Sequence, residues 1–256
     1  MLAIRWKDLI RLTPWERLVE LTVPVPWLVA SLAASHARLW SLSALCWFFL
    51  FLTGLRLSHN AQHRSLGLPH WAHDLVLAAL SLVMGASMHA VQVSHLNHHR
   101  HELGPDDVEG RVVALPLGEV LRAGPRFMFE LHRFALTRGT ATQRRWVWAE
   151  LGLLAVIWPA LVLFGGHAIA AHVVAMSAGE LLTPFFAVWL VHRAARGTPS
   201  RARTERSWLI NTFTYGMLLH AEHHAYPAVP TIHWRQLAER RAAAGERVER
   251  DVVALH

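Results

Sequence analysis

The chain has 256 residues, 53% of them hydrophobic and 17% charged, with a mean hydropathy of +0.26. Soluble domains carry about a quarter charged residues, so the composition excludes an ordinary soluble enzyme, and the length fits one domain, 1–256. A net charge of +7 would suit a nucleic-acid binder, but the basic residues stand in blocks between apolar runs, which favours a membrane protein with no nucleic-acid partner. The single cysteine, Cys46, lies inside an apolar run. That excludes a disulfide framework and a thiolate metal site and leaves nitrogen and oxygen as metal ligands.

Residues 1–18 read as a short interfacial helix, with Trp6 and Trp15 among Arg5, Lys7, Arg11 and Arg17. They have no secretory core or small-residue cleavage site. An apolar span at 19–35, softened by Pro24 and Pro26, is followed by a second at 38–57. The second is long enough to cross about 30 Å of hydrocarbon. The two form a helical hairpin that delivers His59 just past the membrane face. Leu75 to Val93 is also apolar, but Ser81, Gly85, Ser87, His89 and Gln92 interrupt it. A full crossing there would put His59 and His95 on opposite faces, so this run is read as an interfacial helix or a shallow re-entrant element.

Residues 100–145 begin as a charged loop, HELGPDDVEG, and become amphipathic around Phe127, Phe129 and Phe134. Spans at 146–164 and 167–191 meet at the Gly165-Gly166 turn, and the basic tail ends in a soluble helix from Trp234 to Ala244. The expected fold is an all-α membrane protein: four transmembrane helices as two hairpins, with interfacial and cytoplasmic segments at 58–145 and 192–256. With this topology 24 of the 25 Lys and Arg side chains fall on one side, Arg38 being the exception. Basic residues concentrate on the cytoplasmic side, so both termini and every histidine cluster described next are assigned there.

Nineteen histidines are present, and eight fall in three patterned groups: His59/His63, His95/His98/His99 and His220/His223/His224. Residues three and four apart share a helix face, and neutral imidazole is a good ligand for zinc, copper and iron. Eight imidazoles exceed the needs of one ion and point to a two-metal centre. His70 and His73 have similar spacing but follow Pro69 in a loop, and are read as structural. His192 is either a ninth imidazole or an interfacial residue beside Arg193. His89 is either a group supporting the ligands or an interfacial one. Glu222, Asp106 and Asp107 are carboxylates able to orient ligand N–H groups, although a solvated turn after Gly104-Pro105 is the expected role of the two aspartates. His167 and His172 lie near the outer side, away from this site.

The motifs HNAQH (59–63), HLNHH (95–99) and HAEHHAYPAVP (220–230) resemble the three histidine boxes of the integral-membrane fatty acid desaturase superfamily. That superfamily also contains lipid hydroxylases and carotenoid ketolases and hydroxylases. The resemblance spans most of the chain. It implies two iron ions held by His59, His63, His95, His98, His99, His220, His223 and His224, with O2 as co-substrate and an unactivated C–H as target. It further implies a lipid or acyl-chain substrate and an external electron donor of ferredoxin, rubredoxin or cytochrome b5 type with its reductase. Asn211 matches a family asparagine ahead of the third box that reaches the metal through water. Asn60 departs from the acid that often follows the first histidine of the first box.

The reading is fatty acyl desaturation, with hydroxylation or ketolation of a lipid or carotenoid as the alternative. A different class, a haem b electron-transfer protein, would use His36, His89, His167 and His172 inside the helices and would leave both HxxHH triplets unexplained.

Overall fold

The computed structural model describes residues 4–193 and 201–246. Parts of the predicted 1–18 and 192–256 segments therefore lie outside the described residues. After a 3-10 turn at Lys7–Ile10 come α1 (Pro14–Thr22), α2 (Val25–His36), α3 (Trp40–Gln62), α4 (His70–Met84), α5 (Met88–His101), α6 (Leu117–Val120), α7 (Gly124–Arg138), α8 (Ala141–Phe164) and α9 (Gly166–Thr183). A π-helical stretch at Pro184–Trp189 leads into α10 (Leu190–His192), and α11 (Trp208–Phe213), α12 (His220–Ala225) and α13 (Trp234–Ala243) complete the chain. Among the described residues there is no strand, only an isolated bridge between Thr204 and Leu219.

Four stretches are long and apolar enough to cross a membrane: Pro14–His36, Trp40–Gln62, Ala141–Phe164 and Gly166–His192. They correspond to the four predicted spans, each extended by helix at one or both ends. The expected all-α membrane fold is the observed one. On α8 the side chains of Trp148, Val156, Leu163 and Phe164 are 63–85% exposed. Such a contiguous apolar surface is compatible with lipid and not with water. Along α3 the environment changes. Trp40, Leu42, Leu45 and Phe48 face outward, whereas Leu57 to Gln62 are all buried. The 23 residues of α3 rise about 34 Å, so its last turns pass beyond the hydrocarbon into protein.

The N-terminal segment differs from the expectation. Residues 14–18 belong to the first span, which starts at a capping box in which the Thr13 hydroxyl accepts from the Glu16 N–H and the Glu16 carboxylate from the Thr13 N–H. Upstream, Leu9 is buried in a cluster with Trp234 and Leu237, and the Trp6 ring lies 5.2 Å from that of Tyr226. Trp6 and Leu9 thus pack against the C-terminal segment around Tyr226 and α13, whereas Trp15 stays 70% exposed.

The expectation for Leu75–Val93 meets a clear geometry. Between α4 and α5 the chain bends by 113°. Gly85 stands at the corner with φ +91°, and Ser87 caps α5 by accepting from the Ala90 N–H. The tip is held from two helices: Trp158 donates its indole N–H to Leu82 O at 2.9 Å, and His172 donates Nε2–H to Val83 O at 2.9 Å. The bend returns α5 toward α3, so that the rings of His59 and His95 lie 5.0 Å apart. A continuous crossing would have separated them.

A Cβ on Gly85 would lie 1.9 Å from the Trp158 ring, in a backbone conformation that L-residues avoid. Gly85→Ala is therefore expected to destabilise the protein by about 2–5 kcal/mol. Thermal unfolding in detergent measures this, and an unchanged midpoint would contradict the role given to the corner.

Candidate metal centre

Three helices and one helix end bring nine imidazoles together. His59, His63, His95, His99 and His223 form one group, and His98, His192, His220 and His224 form another. Within each group the ring nitrogens lie within 4.8 Å of one another. The sequence spacing explains the division. Residues four apart on a helix point nearly the same way, whereas neighbours diverge by about 100°. Accordingly His95 and His99 serve the first group and His98 the second, while His220 and His224 serve the second group and His223 the first. Each HxxHH triplet thus splits into a pair and a single, and the two groups abut, with the His99 and His224 rings 4.4 Å apart.

His192 is the ninth member. It lies just after the π-helical stretch, whose wider turns rotate downstream side chains away from their α-helical register. Trp189 anchors that stretch by donating its indole N–H to Leu115 O at 2.9 Å. The lone histidine at the end of an apolar run thereby reaches both His98 and His220, with Nε2–Nε2 separations of 3.1 and 3.0 Å.

The donor chemistry fits metal ions. His98 donates Nδ1–H to Asp107 Oδ2 at 2.7 Å, and His192 donates Nδ1–H to Arg201 O at 2.7 Å. Both acceptors lack a proton, so in the neutral rings both Nε2 atoms carry lone pairs. Two lone pairs facing each other at 3.1 Å repel unless a proton or a metal ion lies between them. In the first group the Nε2 atom of His223 lies 2.9 Å from that of His59 and 2.6 Å from that of His99. The Nε2 atoms of His95 and His99 are 3.2 Å apart. Two nitrogens each about 2.1 Å from one ion and at right angles about it are separated by roughly 3.0 Å. Burial first, and neighbouring imidazoles second, hold His220, His223 and His224 far below the ordinary histidine pKa. They are neutral, which is the metal-binding form.

A ring of acids surrounds the imidazoles. Asp107 is fully buried, and although burial raises its pKa, the His98 hydrogen bond and the Gly110 and Leu103 N–H groups hold it at about 2. Glu109 accepts from Ser94 Oγ at 2.8 Å and from His95 Nδ1 at 3.3 Å, and Glu102 Oε1 lies 2.9 Å from His224 Nδ1. Such partners fix tautomer and ring orientation. The solvated turn expected for the aspartates is incorrect for Asp107. Asp106 contributes its backbone oxygen to Asn97 Nδ2 and touches no ligand histidine through that bond. Glu102 and Glu109 were missed, although both stand within the acid-rich HELGPDDVEG that follows the second box.

Replacing Asp107 by Asn is expected to weaken metal affinity about 10- to 100-fold, read by competitive chelation. Unchanged affinity would remove Asp107 from the support of His98.

Other predicted residues are placed elsewhere. Glu222 does not orient a ligand: it accepts from Thr204 Oγ1 and pairs with Arg206 at 3.1 Å, which fixes α12 from behind. Asn211 Nδ2 donates to Glu205 O and Ser207 O, while its buried Oδ1 has no protein partner and is free to meet a ligand. His73 bonds to Pro69 O and lies outside both groups. His89 donates Nδ1–H to Glu150 at 2.6 Å and stacks on Trp146, where it braces the α4–α5 corner. His167 is directed at Ser35 O, away from the centre. Asn60 has a structural role where the family motif often has an acid. Its Nδ2 donates to Glu20, and its Oδ1 accepts from the N–H and hydroxyl of Thr231. The Trp234 ring closes the centre from the C-terminal side, 5.3 Å from His59 and 5.0 Å from His223.

From the centre a cavity of about 230 Å³ runs between α3, α5, α7 and the π-helical stretch. Phe48, Phe51, Leu55, Phe127 and Phe186 line it, and His59, His95 and His220 face it.

Fold and site together define an all-α membrane protein with a two-part, all-histidine centre at the end of an apolar cavity. Residues 34–255 match the fatty acid desaturase family, and the chain belongs to it. That family comprises oxidoreductases of the desaturase and hydroxylase type. A search of curated proteins finds no match.

Proposed function

We propose that the protein is a di-iron oxidoreductase that uses O2 and external electrons to desaturate a fatty acyl chain in the membrane. The observation that carries this reading is the contact between cavity and centre: the apolar cavity meets His59 and His95 of one histidine group and His220 of the other. Two irons would be held by His59, His63, His95, His99 and His223 and by His98, His192, His220 and His224. When bound, they would supply the reduction of O2 that makes an unactivated C–H bond reactive.

The chain's own residues bind and orient. Asp107, Glu109 and the Arg201 carbonyl fix the imidazoles. Phe51, Leu55, Phe127 and Phe186 enclose an acyl chain and exclude water, so that one methylene rests beside the histidines. Soluble di-iron bundles use carboxylate ligands, whereas here carboxylates stand one layer out and the ligand set is neutral. The positive-inside distribution supports a centre on the cytoplasmic side, accessible to a ferredoxin, rubredoxin or cytochrome b5 with its reductase. Of the imidazoles a haem reading would use, His89 is committed to Glu150 and Trp146, and His172 to Val83 O. This favours the di-iron reading.

Co-expression with a reductase and mass spectrometry of the membrane lipids test the proposal. Loss of two hydrogens from an acyl chain is the expected product. Gain of one oxygen would assign hydroxylation or ketolation instead, and no iron-dependent product would contradict the reading.

A further inference from the structure

The four spans contain four acids, and three have firm partners. Glu16 accepts from the Thr13 N–H and from His233, Glu20 pairs with Arg56, and Glu150 accepts from Ser87 and His89. Glu180 is different. It is 5% exposed, its Oε2 accepts one long bond of 3.4 Å from Thr183, and its Oε1 is buried with no protein partner. Both Glu180 and Thr183 line the apolar cavity. Glu109, the other acid lining that cavity, is committed to Ser94 and His95.

The position along the cavity follows from the helices. Glu180 precedes His192 by twelve residues, and the Phe51 ring beside Gly179 precedes His59 by eight. At the α-helical rise these separations put Glu180 roughly 12–18 Å from the histidines. It therefore sits toward the far end of the cavity, away from the chemistry. A buried acceptor without a donor costs free energy, and an intramembrane acid facing a cavity marks a substrate path.

Taking the cavity as the substrate site of the proposed function, we propose that it is built for an apolar chain bearing a hydroxyl group, whose O–H donates to Glu180 Oε1. Thr183 braces the carboxyl from the other side. The bond acts as a ruler: with the hydroxyl held at Glu180, the chain length between it and the histidines selects which carbon is oxidised. A chain lacking the hydroxyl leaves the carboxyl unpaired and binds more weakly, as in other sites built around a substrate O–H.

The test is equilibrium binding to the purified, iron-loaded protein in detergent, with stearyl alcohol and octadecane as probes. These chains are equal in length and differ by one hydroxyl. The wild type is expected to prefer the alcohol by about tenfold or more. Glu180→Leu should lose the preference, and Glu180→Gln, which keeps a carbonyl acceptor, should retain most of it. Equal binding of both probes by the wild type would overturn the proposal, as would a preference that survives Glu180→Leu or a failure of either probe to bind. The wild-type comparison decides the matter even where a variant does not fold. Iron content of the same samples separates the two readings: iron-replete protein with no hydroxyl preference defeats this inference alone, whereas protein that takes up no iron defeats the proposed function and this inference with it.

Discussion

His223→Ala is expected to reduce turnover by more than about 100-fold, beyond the range typical of residues that only support a ligand, and to remove one of two irons per chain. Its Nε2 atom is the junction of the first histidine group, 2.9 Å from that of His59 and 2.6 Å from that of His99. The second group, His98, His192, His220 and His224, is left whole, so half of the metal should remain. His192→Ala should have the reciprocal effect, with loss of the other iron and an equal loss of turnover. Metal analysis together with product formation checks both. Full activity in either variant, or retention of both irons, would break the assignment of nine imidazoles to two ions.

The second large effect concerns stability. Arg56 is buried and clasps the fully buried Glu20 of the first span in a bidentate pair, and it also donates to the Tyr215 carbonyl. Asn60, one turn on, adds a bond to the same carboxylate at 2.9 Å. Arg56→Met would leave Glu20 without its cation in a dry environment. The expected cost is about 3–5 kcal/mol, read as a lowered unfolding midpoint in detergent. The double variant Arg56→Met, Glu20→Gln should recover part of that loss, because removing both charges abolishes the uncompensated one. If the double variant were no better than the single, packing rather than charge would be the source. Arg56 stands three residues before His59, so loosening it should also lower metal retention.

The contrast between these sites shows what the sequence could disclose. The box histidines were legible because i, i+3 and i+4 spacing gathers three imidazoles within about one turn of one helix side. That α4 and α5 do not form one straight crossing was legible for a topological reason, since His59 and His95 cannot share a site across a bilayer. The split of each HxxHH triplet between two groups follows from the helical angle, yet it emerges only once α5, α12 and the end of α3 are placed together. His192 was undecided, because its orientation depends on the π-helical stretch, and no periodicity in PFFAVW announces a wider turn. Asp107, Glu109 and Glu102 carried the composition of a solvated loop. The burial of Asp107 and Glu109 arises from the return of that loop over α5, a contact that local pattern does not encode. Trp6 had the look of a membrane-surface residue for the same reason: amphipathicity identifies an apolar face but not its partner, which here is Tyr226.

Two irons in two adjacent histidine groups are tested most directly by anomalous scattering at the iron absorption edge from crystals of the purified protein. Two peaks are predicted, one among His59, His63, His95, His99 and His223 and the other among His98, His192, His220 and His224. A single peak, a peak outside these groups, or a signal at the zinc edge alone would contradict that assignment.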